Sequence, residues 1–287
     1  MLLRRFIMCI TVIGFAHEAA AGDIETAYLR GSQGYEASGR TYRVPQVAAP
    51  WYPTSAPAPS YVANPIEGED PESYDVRAAL EASGDVKGAL HDYPRNYTFE
   101  KAMLNHLAAH PNDDIGALRA LPLSLLIMFV HAYQSFLYNR ILSERMRRGL
   151  PIREPIEGDL VLPANRQGLL DRERTIEVVA DNLERVAARC RAGKAWVSAV
   201  LYGSESTFAA GEMGEIERET IEAEGVRPED FIIPDLPRIS SRGTRREILA
   251  PIRQLRTALE EGVLRIDTEL TRGAYATCLV REYSKDG

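Results

Sequence analysis

The fold of this chain is decided by residues 123–148, whose sequence is LSLLIMFVHAYQSFLYNRILSERMRR. Apolar residues recur in it at steps of three and four, the spacing of one face of an α-helix. Gly149 and Pro151 follow at positions where helices commonly end. Because His131 and the arginine-rich end argue against a membrane span, the pattern predicts a long core helix. Its predicted apolar face consists of Leu126, Phe129, Val130, Tyr133, Phe136, Leu137 and Ile141.

Beyond this helix the pattern alternates between strands and helices. A helix is predicted to begin at an Asp171 N-cap and to end at Gly193. Its apolar stripe is Ile176, Val179, Leu183, Val186 and Cys190. An acidic helix is predicted over residues 211–224 and ends at Gly225. Strands are predicted at residues 160–162, 195–201 and 264–270.

On the N-terminal side two short helices are predicted, one near Pro71 and one from Thr98. Their apolar stripes are Val76, Ala79 and Leu80 in the first, and Ala102, Met103, His106 and Leu107 in the second. The Asn112-Asp113-Asp114 turn is predicted to cap a helix at Ile115, rather than Asp113 and Asp114 forming a functional carboxylate pair. Helices and strands mixed without a regular βαβ repeat favour the α+β class.

Length and composition exclude several classes. The 287 residues correspond to about two ordinary domains, and 45% hydrophobic with 26% charged residues exclude a collagen-like, coiled-coil or wholly disordered chain. The three cysteines Cys9, Cys190 and Cys278 lie far apart without a CxxC pair, so neither a disulfide framework nor a zinc site is expected. Phosphate-loop, dinucleotide-binding, zinc-peptidase and serine-hydrolase motifs are absent from the sequence.

The first 61 residues follow a different pattern. Arg4 and Arg5 precede an apolar stretch and a small-residue segment within residues 1–22, the three-part pattern of a secretory signal peptide. Residues 28–61 are rich in Gly, Pro, Ser and Ala and predict an irregular linker. Export is one hypothesis for residues 1–22, and an altered start or reading frame is the other, which we favour.

The net charge of −7 conceals two basic segments. Residues 138–153 contain five Arg and one Glu, and residues 238–256 contain six Arg and one Glu. A run of arginines is typical of a solvated face, but two runs in an acidic chain also suit a phosphate-binding surface. Charge alone does not separate RNA from other polyanions.

The stretches ALRALP at residues 117–122 and FVHAYQSFLYNRILS at residues 129–143 are similar to the tRNA pseudouridine synthase D (TruD) family, in its archaeal branch. The resemblance covers roughly residues 62–283 and corresponds to the C-terminal portion of the family. Further matches keep the same order and are Asn64-Pro65, Gly84-Asp85 with residues 95–107, Gly158-Asp159, SRGTRR at residues 241–246 and GAYATCLVRE at residues 273–282.

This resemblance implies an inserted RNA-binding domain over residues 23–239 and a C-terminal remnant of the α+β catalytic domain over residues 240–287. It implies that a uridine of tRNA, typically at position 13, is isomerised to pseudouridine without a metal or an organic cofactor. A carboxylate attacks or deprotonates the ribose, and the uracil detaches, rotates and rejoins through carbon. The base must leave its stack while a basic surface holds the RNA. The implied partner is tRNA, with no membrane, and the implied location is the cytoplasm.

The family's catalytic aspartate lies in a GxKDxxAxTxQ-like motif followed by NYFGxQRFG, and neither occurs in this chain. No residue is therefore assigned as catalytic, Asp113 and Asp159 included. We expect the chain to be inactive alone, from a gene that is truncated, frameshifted or started internally, with a separately encoded N-terminal half carrying the aspartate. A non-catalytic RNA-binding module and an exported binding protein are the alternatives. The PEDF stretch at residues 228–231 is interpreted as a local connection.

Six residues are predicted to contact RNA. The best phosphate candidates are the three arginines of SRGTRR. Two polar residues near the middle of the long helix could reach RNA, whereas His131 and Tyr133 are expected to be structural. The last candidate lies in the terminal motif, where it pairs with Glu282 or frames the catalytic cleft. The set is Asn139, Arg140, Arg242, Arg245, Arg246 and Arg281.

Overall fold

The computed structural model describes residues 35–37, 40–42, 62, 71–260 and 263–270, together with residues 276, 279 and 280. The predictions for residues 1–22, for most of residues 28–61 and for Arg281 fall outside the described residues. The described chain divides into two compact units. The first unit contains the described residues within 46–136 and 227–242. The second unit contains the described residues within 22–45, 137–226 and 243–287.

The first unit is helical. Its buried side chains include Leu80, Met103, Leu107 and Phe129. The PEDF stretch forms a 3-10 turn at Pro228–Phe231, whose buried Phe231 ring stacks 6.4 Å from the Tyr133 ring of the long helix. Its helices are α1 (Pro71–Ser83), α2 (Val86–Asp92), α3 (Thr98–Ala109), α4 (Asp114–Arg119) and the part of α5 (Leu123–Arg147) that precedes residue 137. Of these, α2 was not predicted.

The buried face of α1 differs from the predicted one. The helix buries Ser73, Arg77 and Leu80, while Ala79 is exposed. Arg77 is buried because its guanidinium lies 5.6 Å from the centroid of the Tyr93 ring and 3.2 Å from a carboxylate oxygen of Glu100. A paired cation thus occupies a position that apolar periodicity assigns to the surface.

The predicted cap by the Asn112-Asp113-Asp114 turn is confirmed, and Asp113 is the capping residue. Its carboxylate accepts the amide of Gly116 at 2.9 Å at the start of α4, and Asp85 caps α2 through the amide of Gly88 at 3.0 Å. A Cβ added at Gly116 would lie 2.1 Å from the Asp113 carboxylate. Both caps therefore pair an aspartate with a glycine three residues later.

The second unit is built on an antiparallel sheet of strand order β4-β3-β5-β6. Separate antiparallel pairs are formed by β1 with β2 and by β7 with β8. The strands are β1 (Tyr35–Ala37), β2 (Arg40–Tyr42), β3 (Leu160–Pro163), β4 (Ile176–Glu177), β5 (Ala195–Leu201), β6 (Thr244–Glu247), β7 (Ile252–Glu260) and β8 (Val263–Leu270). Two helices, α6 (Leu183–Arg191) and α7 (Gly211–Ala223), complete the α+β architecture, which confirms the predicted class.

The predictions for β3, β5, β8 and α7 are confirmed, but the helix from Asp171 to Gly193 is wrong in its first half. Residues 176–178 instead extend along the edge of β3, where the Val178 amide donates to the Asp159 carbonyl at 2.9 Å. The helix α6 starts only after Asn182, whose side chain accepts the Val179 amide at 3.1 Å. Pairing to an open strand edge therefore outweighs helical periodicity here.

The long helix α5 is confirmed, together with its end. Gly149 has φ of 72°, and the amides of Gly149 and Leu150 donate to the carbonyls of Met146 and Arg145 at 3.0 and 3.1 Å. This is the Schellman arrangement of a helix C-terminus. Six of the seven predicted apolar positions are buried, and Phe136 is partly exposed. Over the described residues, no helix is long and apolar enough to cross a membrane.

Candidate nucleic-acid interface

A fully buried charge pair of the second unit lies at the end of α5. Arg145 donates to both carboxylate oxygens of Asp159, at 2.6 and 2.9 Å, and its Nε and Nη2 donate to the Pro151 carbonyl at 3.0 and 2.7 Å. The Ile156 amide also donates to Asp159 at 2.8 Å. Both side chains of the pair are inaccessible to solvent. Arg145 therefore belongs to the internal structure, although it lies in the first basic segment.

Arg245 on β6 is also internal. It is buried, and its guanidinium lies 2.7 Å from a carboxylate oxygen of Glu217 on α7. Its remaining donors bond to the hydroxyl and carbonyl of Ser198, at 2.9 and 3.0 Å, and to the Thr207 carbonyl at 3.0 Å. A buried guanidinium with its donors occupied offers none to a phosphate. We therefore assign Arg245 a structural role instead of the predicted role in phosphate binding.

Arg246, the next residue, is partly exposed. Its guanidinium lies 5.5 Å from the ring centroid of Tyr138, whose hydroxyl donates to the Glu247 carbonyl at 2.7 Å. Burial raises the pKa of the Tyr138 hydroxyl above its ordinary value, so the group is a neutral donor. Arg172 makes a bidentate pair with Glu247, at 2.7 and 3.1 Å. The motif of the long helix is thus joined to β6 by packing.

The remaining candidates lie in different parts of the chain. Asn139 and Arg140 are on the part of α5 in the second unit, and Arg140 is 45% exposed while its guanidinium pairs with Glu224. Arg242 is exposed and belongs to the first unit, where its neighbour Ser241 accepts a hydrogen bond from Gln134 at 2.9 Å. Arg281 lies outside the described residues. The structure therefore brings only Asn139, Arg140 and Arg246 into one unit as accessible candidates.

An open groove of about 320 Å³ lies on the second unit and was not predicted from the sequence. It is bordered by the end of α6, the start of β5 and the segment before β7. Three arginines and Trp196 line it, and none of the described lining residues has a carboxylate. The lining residues are Ile152, Arg153, Cys190, Arg191, Gly193, Ala195, Trp196, Val197, Leu249, Ala250, Pro251, Ile252 and Arg253.

The groove combines positive charge with an unreactive thiol. Burial raises the pKa of Cys190 to about 11, and the nearby Asp159 carboxylate acts in the same direction, so the thiol is neutral at pH 7. No group of three or more His, Cys, Asp or Glu side chains able to hold a metal ion occurs among the described residues. The chemistry of the groove is therefore that of guanidinium and indole groups.

Sequence reasoning missed the groove because its residues come from three distant segments. Arg153 and Arg253 lie in the two basic segments, but Arg191 and Trp196 lie in neither. The available signal was the close sequence spacing of Arg191 and Trp196 across a helix-to-strand turn.

Comparison with known proteins agrees with the sequence motifs. The family model "tRNA pseudouridine synthase D (TruD)" matches residues 54–283. The "probable tRNA pseudouridine synthase D" of Methanococcoides burtonii is 38% identical over 234 residues, which are 79% of this chain and 53% of that protein. That of Methanopyrus kandleri is 40% identical over 216 residues, 75% of this chain and 46% of that protein.

The solved structures include a crystal structure of a protein from Methanosarcina mazei that is described as a tRNA pseudouridine synthase D. It matches with a TM-score of 0.70 at 37% identity, over 79% of this chain and 53% of that chain. The present chain spans about half the length of the curated relatives that it matches.

Proposed function

Because the chain belongs to the tRNA pseudouridine synthase D family, we propose that it forms the RNA-embracing part of an enzyme that isomerises a uridine of tRNA, at position 13, to pseudouridine. The family match over residues 54–283 is the observation that carries this proposal. The accessible arginines support it, because a tRNA-modifying enzyme needs guanidinium groups that contact phosphates.

By resemblance to the family, we assign residues 23–239 to the inserted RNA-binding domain and residues 240–287 to the catalytic domain. This boundary differs from that of the two compact units, because β6 pairs with β5 within the second unit. Asn139, Arg140, Arg242, Arg246 and Arg281 are the proposed RNA contacts, and the enzyme acts in the cytoplasm, where tRNA is its partner. The function needs neither a metal nor an organic cofactor.

In the reaction, the N1–C1′ bond of the uridine breaks, a C5–C1′ bond forms, the hydrogen of C5 leaves as a proton, and N1 gains a proton. No oxidant or second substrate is consumed. The carboxylate that attacks or deprotonates the ribose is not one of this chain's assigned residues, since the family's aspartate motif is absent from the sequence. We propose that a separately encoded N-terminal half supplies it, so that this chain alone is inactive.

The β7–β8 hairpin supports a docked half of this kind. In its register Leu259 pairs with Leu264 and Thr257 with Ile266, so these four side chains share one face. Leu259 is 74% exposed and Leu264 is 44% exposed. A two-stranded hairpin with a bare apolar face is only marginally stable, and burial of that face by further strands would stabilise it.

The experiment is a tritium-release assay on tRNA labelled at C5 of uridine. The chain alone is expected to release no tritium, and the chain mixed with the upstream half of a family member is expected to release it. Release by the chain alone would overturn the predicted inactivity. Tight tRNA binding without release in the mixture would instead favour a non-catalytic RNA-binding module.

A matched pair of variants tests the hairpin. Leu259→Glu is expected to abolish release in the mixture while leaving tRNA binding by the chain unchanged. Ala258→Glu, on the opposite face of the same strand, is the control and should retain release. Equal activity of the two variants would contradict docking on the apolar face.

A further inference from the structure

We propose that the groove on the second unit binds one unstacked nucleotide, with the phosphate held by arginine and the base packed on Trp196. This inference deepens the proposed function and rests on it for the source of the nucleotide, which is single-stranded RNA. None of the residues that line the groove is among the six residues predicted to contact RNA. Three of its features point to this ligand: its free guanidinium donors, its aromatic and aliphatic wall, and its size.

The three arginines differ in how they are held. Arg191 is fixed by Glu154 and Glu184, at 3.1 and 2.6 Å, and Arg253 is fixed through a hydrogen bond from Nη2 to the Gly168 carbonyl. Arg153 is exposed and has no hydrogen bond or ion pair with the described part of the chain. Because a guanidinium carries five N–H donors, Arg253 has further donors to offer, and Arg153 has all of them.

Phosphate is the anion that fits this arrangement. Guanidinium groups bind phosphate through paired donors, and two of the three here are oriented in advance by their own partners. None of the described lining residues carries a carboxylate that would repel the anion. Glu154 and Glu184 accept from Nη1 and Nη2 of Arg191, and neither glutamate is among the lining residues.

The second feature is the wall of the groove. Trp196, near the start of β5, is partly exposed, and Leu249 and Ile252 are 43% and 47% exposed. An accessible indole beside aliphatic side chains is a surface on which a planar base can pack. An inorganic anion would need the arginines alone, so the wall favours a ligand that has both a phosphate and a ring.

The size of the groove favours a single nucleotide. Its volume of about 320 Å³ is at the lower end of the range for ligand pockets. An A-form duplex keeps its bases stacked inside, so it can offer the groove phosphates but no base face. The ligand is therefore a nucleotide that has left its stack.

The first test uses Trp196 as a reporter. The chain has two tryptophans, so Trp51→Phe leaves Trp196 as the only one. Uridine monophosphate and pentauridylate are expected to quench its fluorescence in a saturable manner. Uridine, inorganic phosphate and a blunt RNA duplex are expected to quench it at least 10-fold more weakly. Absence of saturable quenching by pentauridylate would overturn the proposal, and quenching by free nucleotide but not by pentauridylate would assign the groove to a free metabolite instead of RNA.

The second test uses variants and the anisotropy of labelled pentauridylate. Trp196→Leu is expected to weaken binding roughly 5- to 150-fold, the cost of losing one stacked base. Trp196→Phe should restore part of the affinity, which a purely structural role of the indole would not predict. Arg153→Gln should weaken binding and lower the slope of log Kd against log salt by about one. Arg147→Gln, an exposed arginine that does not line the groove, is the control. Equal affinities of the Arg153 and Arg147 variants would overturn the proposal.

The two proposals can fail separately. If the mixture with the upstream half releases tritium but the groove variants bind RNA as the parent chain does, this inference is wrong and the proposed function stands. If the groove binds pentauridylate but the mixture releases no tritium, the proposed function is wrong.

Discussion

Neutralising Asp159 tests the internal charge pair most directly. In the Asp159→Asn variant the Arg145 guanidinium stays inaccessible to solvent but loses its counter-ion. The amide oxygen of asparagine can replace one of the two carboxylate acceptors at 2.6 and 2.9 Å, while its NH₂ group faces the other guanidinium donor. The Pro151 carbonyl remains as a partner of Arg145. The variant therefore contains a buried cation with only neutral acceptors.

The size of the effect follows from these contacts. One hydrogen bond to a charged group contributes about 1.5–3 kcal/mol, and breaking a buried ion pair on one side costs about 3–5 kcal/mol in total. We expect the free energy of unfolding to fall by about 4 kcal/mol, which corresponds to a decrease in Tm of roughly 10 °C for a unit of this size.

The assay is urea unfolding followed by circular dichroism. Arg147→Ala is the matched control because Arg147 lies two residues away on the same helix and is 55% exposed in its pair with Glu144. It should cost no more than about 1 kcal/mol. A loss below about 1 kcal/mol in Asp159→Asn would refute the reasoning, because Arg145 would then not depend on the carboxylate.

Three further predictions concern local features. Gly158→Ala should lower the free energy of unfolding in urea by at least about 2 kcal/mol, because Gly158 has φ of 91° and a Cβ there would lie 2.4 Å from a backbone carbonyl oxygen. Gly149→Ala is the control and should lower it by about 1 kcal/mol, since the space around Gly149 is open. Equal losses would contradict the clash at Gly158. Since burial raises the pKa of Cys190 to about 11, its alkylation at neutral pH should be roughly 100-fold slower in the native chain than in urea. Peptide mass spectrometry measures the two rates, and equal rates would contradict the prediction. The hydrogen bond from His106 lowers the pKa of Asp113 from 3.8. The ionised Asp113 carboxylate therefore stabilises the folded chain fully above pH 3.8, and this stabilisation is lost as the pH falls through the lowered pKa. His106→Ala should raise the pKa of Asp113 in a carboxyl NMR titration, and an unchanged pKa would contradict this assignment.

Local patterns predicted much of the secondary structure. The long helix, its glycine stop and the Asp113 cap each depend on residues within a few positions of one another. Sequence also predicts β5, because its apolar run is bounded by Gly193 and Gly203. The family resemblance rests on the same segments, and its motifs meet in the structure, where Gln134 of the helix bonds to Ser241.

Patterns that depend on distant partners were predicted less well. The segment at residues 176–178 has helical periodicity, yet its backbone pairs with the edge of β3 and forms β4. Arg77 is polar, yet Tyr93 and Glu100 provide a buried place for its guanidinium. In both cases the deciding partner is far away in the sequence, so no local window contains it.

The sequence by itself determined the family, the α+β class and the absence of the family's aspartate motif. The tertiary structure decided which arginines are accessible. Arg145 and Arg245 lie in the two basic segments, but they are buried against Asp159 and Glu217, 14 and 28 residues away. Arg153 has no such partner among the described residues and faces a groove with Trp196. The reason is physical: a charge is a property of one residue, whereas its exposure depends on which carboxylate the fold brings beside it.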